Sequence, residues 1–295
     1  MQIRWHLTGT PWPVQVEAMR RANNVPRYGW HLEQGLGKSS LALNDYIGCN
    51  DVDLNIVLAP SSFAADWVYL PEDWGVGFLR TGMWGEDEMP FDWDQGLYAI
   101  SHETLRGSRR ARDDLARLFK TRRCMLTFDE TTGIKNAQSL LAKYCVGELS
   151  KHAIRIRELN GTPLVQTAMD YFAPLRLLGE CNGMNPYAFR NRYCQMGGFM
   201  GKQIKGMKNE EELAAILDRC SFRALKRDWA KHMPPKINTP IHLTMTDVQI
   251  RHYRTMLDEF YALVGDDETV DATLVLTQRM KLQQIASCLL MKDGK

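Results

Sequence analysis

The chain has no run of eighteen apolar residues, and its opening residues, Met1-Gln2-Ile3-Arg4-Trp5-His6, contain no apolar stretch of signal-peptide length. Neither a membrane-spanning helix nor a secretory leader is expected, which predicts an intracellular protein, cytoplasmic, nucleoid-associated or nuclear. The seven cysteines (49, 124, 145, 181, 194, 220 and 288) are odd in number, never stand two residues apart, and have no histidine at zinc-finger spacing. That pattern argues against a disulfide framework and against a structural zinc site, leaving reduced, mostly buried thiols. Net charge is scarce too, 37 basic against 35 acidic residues for a balance of +2, so the chain is not a uniformly basic nucleic-acid binder. What is present is a core: 44% of the 295 residues are hydrophobic, enough for one large domain with an appendage or two modest ones.

The near-zero balance hides segregation. Residues 106–123 hold eight Arg or Lys against two Asp, residues 190–208 five against no acid, and residues 219–236 six against one, while acid collects in 72–94 and 258–271. A basic face of this kind suits a phosphate backbone, and it equally fits the solvated faces of helices.

Short apolar or β-branched runs alternate with helical stretches over the first half of the chain. Strands are expected at 29–33, 54–59, 97–101, 124–129 and 153–160, with helices at 13–23, 38–48, 62–70, 103–120 and 139–149. This pattern predicts a doubly wound α/β core with a parallel sheet, whose ligands sit at the carboxyl ends of the strands. Arg157 and Glu158 are anomalous there, since both interrupt an apolar run in a buried strand. From about residue 166 the pattern turns helical (166–178 and 209–220), with a glycine-rich, acid-free stretch at 197–208, an extended segment at 236–243, and helices at 247–264 and 271–291. The division expected is an α/β core over 1–165, a helical subdomain over 166–235, and an extended segment with helices over 236–295.

Two motifs carry the chemistry. Gly35-Leu36-Gly37-Lys38-Ser39 opens a helix, and glycines there let backbone N–H groups and a helix N-terminus converge on one phosphate. Lys38 would reach the outer phosphates and the Ser39 hydroxyl would hold Mg. Leu32 stands where the usual loop has its first glycine, so these residues alone also fit a glycine-rich turn with a solvated lysine. Phe128-Asp129-Glu130-Thr131-Thr132 ends an apolar run, and adjacent carboxylates at a strand end can divide metal binding (Asp129) from water activation (Glu130). An acidic turn capping the next helix is the plainer reading of that pair.

Taken in order, the motifs resemble the first motor lobe of Swi/Snf-type DNA translocases in the second helicase superfamily. The resemblance runs through Gln15 in Pro13-Val14-Gln15-Val16-Glu17, Glu33 two residues before Gly35, Ile56-Val57-Leu58-Ala59-Pro60-Ser61-Ser62 with Trp67 following, and Ala99-Ile100-Ser101-His102-Glu103-Thr104. It continues through Asp129-Glu130 with Gly133-Ile134-Lys135-Asn136, Leu159-Asn160-Gly161-Thr162-Pro163, Phe189-Arg190-Asn191-Arg192-Tyr193-Cys194, and Phe222 to Asp228 followed by Met233-Pro234-Pro235-Lys236. This family also lacks the distant glycine that Leu32 replaces, and its annealing-helicase branch is the most similar.

The resemblance implies ATP and Mg as cofactors, with Gln15, Glu33, Gly35, Leu36, Gly37, Lys38, Ser39 and Ser40 around the nucleotide, Ser39 and Asp129 on the metal, and Lys38, Asp129 and Glu130 catalytic. It implies double-stranded DNA bound through phosphates at Ser61, Ser62, Ser101, His102, Thr104, Lys135 and Asn136, and coupling to movement through Thr132, Gly161, Thr162 and Pro163. Thr131-Thr132 depart from the family's Ala-His after Asp-Glu, and no Gln-x-x-Gly-Arg-x-x-Arg of a second lobe is present. The expectation is therefore the ATP-binding half of a DNA-dependent ATPase, weak until a second RecA-like lobe completes it. A non-catalytic, ATP-responsive DNA-binding adaptor is the alternative.

Overall fold

The computed structural model describes residues 4–161, 167–198, 203–232, 237–264 and 272–287, in two compact units over residues 1–234 and 235–295. The strands, in chain order, are β1 (Arg27–Leu32), β2 (Leu54–Ala59), β3 (Arg80–Met83), β4 (Gly96–Ser101), β5 (Cys124–Asp129), β6 (Arg155–Asn160), β7 (Cys194–Gly197), β8 (Gln203–Met207) and β9 (Ser221–Ala224). Seven of them form one parallel sheet in the order β3-β4-β2-β5-β6-β1-β9, and β7 and β8 make a separate antiparallel hairpin. The helices are α1 (Pro13–Ala22), α2 (Lys38–Ile47), α3 (Ser61–Asp73), α4 (His102–Gly107), α5 (Arg109–Thr121), α6 (Leu140–Tyr144), α7 (Ser150–His152), α8 (Phe172–Leu177), α9 (Pro186–Tyr193), α10 (Glu210–Cys220) and α11 (Lys226–Trp229).

Strand alternation divides the core between the two faces of the sheet. Ile56, Leu58, Tyr98, Ile100, Leu126 and Phe128 pack with Leu115 and Leu118 of α5 on one face. Val57, Ala59, Leu97, Ala99 and Met125 pack with Leu41 and Leu43 of α2 on the other. The doubly wound α/β sheet expected from the sequence is thus present, and every strand of it points the same way, so all the carboxyl ends lie along one edge.

The differences from the sequence reading have local causes. β3 and β9 were not expected, because these edge strands are four residues long and expose Arg80 and Arg223 respectively, so neither presents a continuous apolar run. The helix expected over 103–120 is two helices, since the Ser108 side chain accepts from the Ala111 N–H and starts α5 afresh. The stretch over 139–149 begins with Ser139 capping α6 and continues into a π-helical turn at Cys145–Leu149. Segment 166–235 is not purely helical: it contributes the β7–β8 hairpin and β9, the strand beside β1.

Among the described residues the second unit comprises a stretch without regular secondary structure at 237–246 and two helices, α12 (Asp247–Val264) and α13 (Ala272–Ala286). Buried Gln249 ties them by donating to the Ile285 carbonyl at 3.1 Å. Among the described residues no helix is long and apolar enough to cross a membrane. Thr162, Pro163, Met233, Pro234, Pro235 and Lys236, singled out in the sequence, lie outside the described residues.

Candidate nucleotide site

The phosphate loop leaves β1 at Leu32 and re-enters helix at Lys38, with Gly35 at φ +80° and Gly37 at φ +77°. Left-handed backbone costs an L-residue roughly 1–2 kcal/mol, which explains glycine at both positions. Gly37 has a second reason, because a Cβ there would collide with the Gln15 amide. That amide braces the loop: Gln15 Nε2 donates to the Gly37 carbonyl at 3.4 Å and to Ser40 Oγ at 3.2 Å, while Gln15 Oε1 accepts from the Trp12 N–H. Ser40 Oγ in turn donates to the Gly37 carbonyl, so Gln15 and Ser40, expected at the nucleotide, brace the loop. Leu36 is fully buried and anchors the loop's apolar side. A Gly37→Ala substitution is expected to weaken ATP binding at least tenfold and lower the melting temperature, read by calorimetry and a thermal melt; unchanged affinity would rule out this loop geometry as the binding form.

Lys38 Nζ donates to the Leu32 carbonyl at 2.9 Å. Burial holds its ammonium below the usual lysine range, and the charges of Asp129 and Glu130 pull it back up. The Asp129 carboxyl is raised, also by burial, and is opposed by a hydrogen bond from Trp67 and by Lys38. Two segments about ninety residues apart therefore meet electrostatically, as β1 and β5 flank β6 on the same sheet edge. Trp67, noticed in the sequence but given no role, donates its indole N–H to Asp129 Oδ2 at 3.0 Å and fixes the carboxylate from α3. Glu130 sits at φ +59°, an uncommon conformation for glutamate of the kind found at functional sites.

The donor set suits magnesium. Ser39 and Asp129 offer hard oxygens, and among the described residues no cluster of three metal-ligating side chains exists. Mg²⁺ is normally held by one or two protein oxygens with waters and substrate phosphates completing the shell, so a ready-made protein cage is not required.

Behind the carboxylates lies a buried polar group that sequence reasoning left unexplained. Arg157 and Glu158 are neighbours in β6 and so point to opposite faces. Arg157, fully buried, reaches Asp45 of α2 at 2.9 Å and stacks on Trp30. Glu158 meets His31 Nε2 at 2.7 Å on the other face, and Thr131 Oγ1 donates to Glu158 Oε1 at 2.6 Å. Asn160 Nδ2 donates to Thr131 Oγ1 at 3.1 Å, which completes a chain across β1, β6 and the end of β5. Gly29 leaves room for it, since a Cβ there would stand 2.6 Å from Glu158 Oε2.

Thr132, expected to couple hydrolysis to movement, takes no part in this chain of bonds. It is exposed, whereas buried Thr131 carries the bonds to β6. Gly161, at the end of that strand, lies beside the phosphate loop, a Cβ on it being 3.8 Å from Gln34 Cγ.

The residues expected at DNA follow β2, β4 and β5, adjacent strands, and so line one edge. Ser61 and Ser62 are exposed at the start of α3, where the Ser61 N–H is held by the Glu103 carboxylate at 3.0 Å. Ser101 caps α4 and its hydroxyl bonds that of Thr104 at 2.8 Å. Asn136 is exposed, and Lys135 lines a cavity of about 20 Å³ with His31, Glu158 and Asp170.

His102, also expected at DNA, is buried. It is 3% exposed, its ring lies 4.8 Å from that of Phe128, and burial pushes its pKa down to about 4. As the first residue of α4 directly after β4 it turns into the core, unlike exposed Ser61, Ser62 and Asn136. Much of the basic stretch 106–123 is also engaged internally: Arg109 and Arg110 pair with Asp113 and Asp114, Lys120 with Glu148, and Arg112 and Arg122 bind carbonyls.

Comparison with known proteins agrees with this arrangement. The SNF2-related domain matches residues 35–289. A Caenorhabditis elegans SWI/SNF-related matrix-associated actin-dependent regulator of chromatin subfamily A-like protein 1 homolog is 30% identical over 151 residues, 50% of this chain and 21% of its own length. The mouse (Mus musculus) SWI/SNF-related matrix-associated actin-dependent regulator of chromatin subfamily A member 1 is 25% identical over 277 residues, 89% of this chain and 25% of its own. The chain thus spans about a quarter or less of these curated relatives. In fold, the Sulfolobus solfataricus SWI2/SNF2 ATPase core solved in complex with dsDNA superposes with a TM-score of 0.64 at 19% identity, over 100% of this chain and 62% of that one. The ATPase core domain from the same organism gives a TM-score of 0.65 at 20% identity, over 100% of this chain and 60% of that one. A phosphate loop and an acid pair on one edge of a RecA-like sheet, matched over most of its length by one family, place the chain in the SNF2-related domain family.

Proposed function

We propose that this chain is the ATP-binding lobe of an ATP-driven translocase of double-stranded DNA, hydrolysing ATP to ADP and phosphate once a second RecA-like lobe closes over it. The observation that carries this reading is that the Lys38 loop leaves β1 and the Asp129–Glu130 pair ends β5 on the same carboxyl edge of one parallel sheet, with β6 alone between the two strands. Lys38 and the loop amides would bind the outer phosphates, and Ser39 and Asp129 would hold Mg²⁺, which supplies charge neutralisation at the phosphates. Glu130 would orient the attacking water and accept its proton. Trp67 keeps Asp129 in register with the metal site. DNA phosphates would run along Ser61, Ser62, Ser101, Thr104, Lys135 and Asn136, without sequence preference and with salt-dependent affinity. A relative's core solved with dsDNA supports that partner.

Titration of the full chain with MgATP tests the reading. Heat of binding is expected, and Lys38→Ala should weaken it by about ten- to a hundredfold, the worth of a charge-assisted hydrogen bond of roughly 1.5–3 kcal/mol. Absence of binding heat in the intact protein would overturn the proposal.

A further inference from the structure

Lys226 lies 188 positions after Lys38 in sequence, in a segment that no expectation tied to the nucleotide. The sheet brings it there. β9 pairs in parallel with β1, Leu32 opposite Ala224, so the two strands end level and the phosphate loop and the start of α11 leave the sheet side by side. Glu33 then clasps the two exits. Its N–H donates to the Ala224 carbonyl at 3.0 Å, and its carboxylate accepts the Lys226 N–H at 2.7 Å.

This clasp engages the amide of Lys226 and leaves the ammonium to lie over the loop, 3.3 Å from where a Cβ on Gly35 would be. Lys226 is exposed, and among the described residues its ammonium has no ion-pair partner. It acts on Lys38, whose ammonium is held down first by burial and further by the charge of Lys226. Two like charges beside a glycine turn repel one another unless an anion lies between them, and the turn's own amides favour the same anion.

We propose that Lys226 is a second phosphate-binding cation of the nucleotide site, held over Gly35 by Glu33. The inference rests on the nucleotide reading above and assigns it two parts it lacked. Glu33 acts as a positioning residue for Lys226 instead of touching the nucleotide, and β9 becomes a structural member of the site. Because the ammonium lies over the glycine turn of the loop, the contact assigned to it is with phosphate oxygens and not with the base or sugar.

The test compares dissociation constants of ATP, ADP and AMP, with magnesium, for the full chain and for Lys226→Ala, Lys226→Arg, Arg227→Ala and Lys38→Ala. Lys226→Ala is expected to weaken ATP and ADP about tenfold and AMP hardly at all. Lys226→Arg should retain affinity within about threefold, and neighbouring Arg227→Ala should match the unaltered protein, since only a placed charge is at issue. Thermal midpoints of Lys226→Ala and the unaltered chain should agree, as the side chain is exposed. ATP affinity unchanged in Lys226→Ala while Lys38→Ala loses it would overturn the role of Lys226 and leave the nucleotide site standing. Equal losses in Arg227→Ala and Lys226→Ala would reduce the effect to general surface charge and overturn it too. No loss in Lys38→Ala would overturn both readings together.

Discussion

An arginine-bearing second lobe, joined to this chain or added in trans, is expected to raise its ATP hydrolysis by about 10³- to 10⁵-fold, the range associated with arginine fingers. In the proposed site a lysine, a hydroxyl and two carboxylates would face the phosphates, and the sequence contains no Gln-x-x-Gly-Arg-x-x-Arg to stabilise charge on the transferring phosphoryl group. Steady-state phosphate release, with and without the lobe and with and without duplex DNA, measures the gain. In the completed assembly Glu130→Gln should lower turnover by about 10²- to 10⁴-fold, as expected for removal of a general base, with ATP binding preserved. Glutamine keeps the volume and the hydrogen-bonding oxygen and loses only the proton acceptor. Failure of every arginine-bearing lobe to raise hydrolysis, with ATP-dependent DNA binding intact in Glu130→Gln, would replace the motor by an adaptor.

Glu158→Ala is expected to destabilise the fold by about 3–5 kcal/mol near pH 5.5, because it breaks a buried ion pair and leaves His31 without its partner in the core. Burial opposes the charge on His31, but Glu158 raises its pKa above 6.5 overall. Burial likewise opposes the charge on Glu158, and His31 and Thr131 bring its pKa below 4.5. The sign follows by linkage. The contribution of His31 is fully present below pH 6.5 and is lost as pH rises through its elevated folded value. The contribution of Glu158 is present above pH 4.5 and is lost as pH falls through its lowered folded value. Both are in force between about pH 4.5 and 6.5, so the gap between the unaltered chain and Glu158→Ala should be widest there and should narrow in alkali, where His31 of the unaltered chain sheds its proton and the ion pair is lost. Urea unfolding at a series of pH values reads this directly, and a gap independent of pH would show that the pair is not ionic.

Much of the core could be read from the sequence, since short apolar runs and helix caps are local. β2 and β5 fall at the expected residues, and β1, β4 and β6 within two positions. The edge strands escaped notice because a strand with one neighbour need not be apolar throughout. The burial of His102 could not be read from its motif, which names a position after β4 and says nothing of the direction in which the chain turns. Arg157 and Glu158 looked like intrusions into a strand for want of their partners, Asp45, His31 and Thr131, which other elements supply.

The sequence by itself determined the order of the strands along the chain, the glycine loop that opens α2, the acid pair that ends β5, and the family these imply, because each is written in a few consecutive residues. Only the tertiary structure decided which strand lies beside which. Parallel pairing of β9 with β1 laid Lys226 over Gly35, and β6 between β1 and β5 brought Glu158 and Asn160 within bonding reach of Thr131. Neighbours across a sheet are set by register between distant segments, and no local pattern of residues encodes that choice.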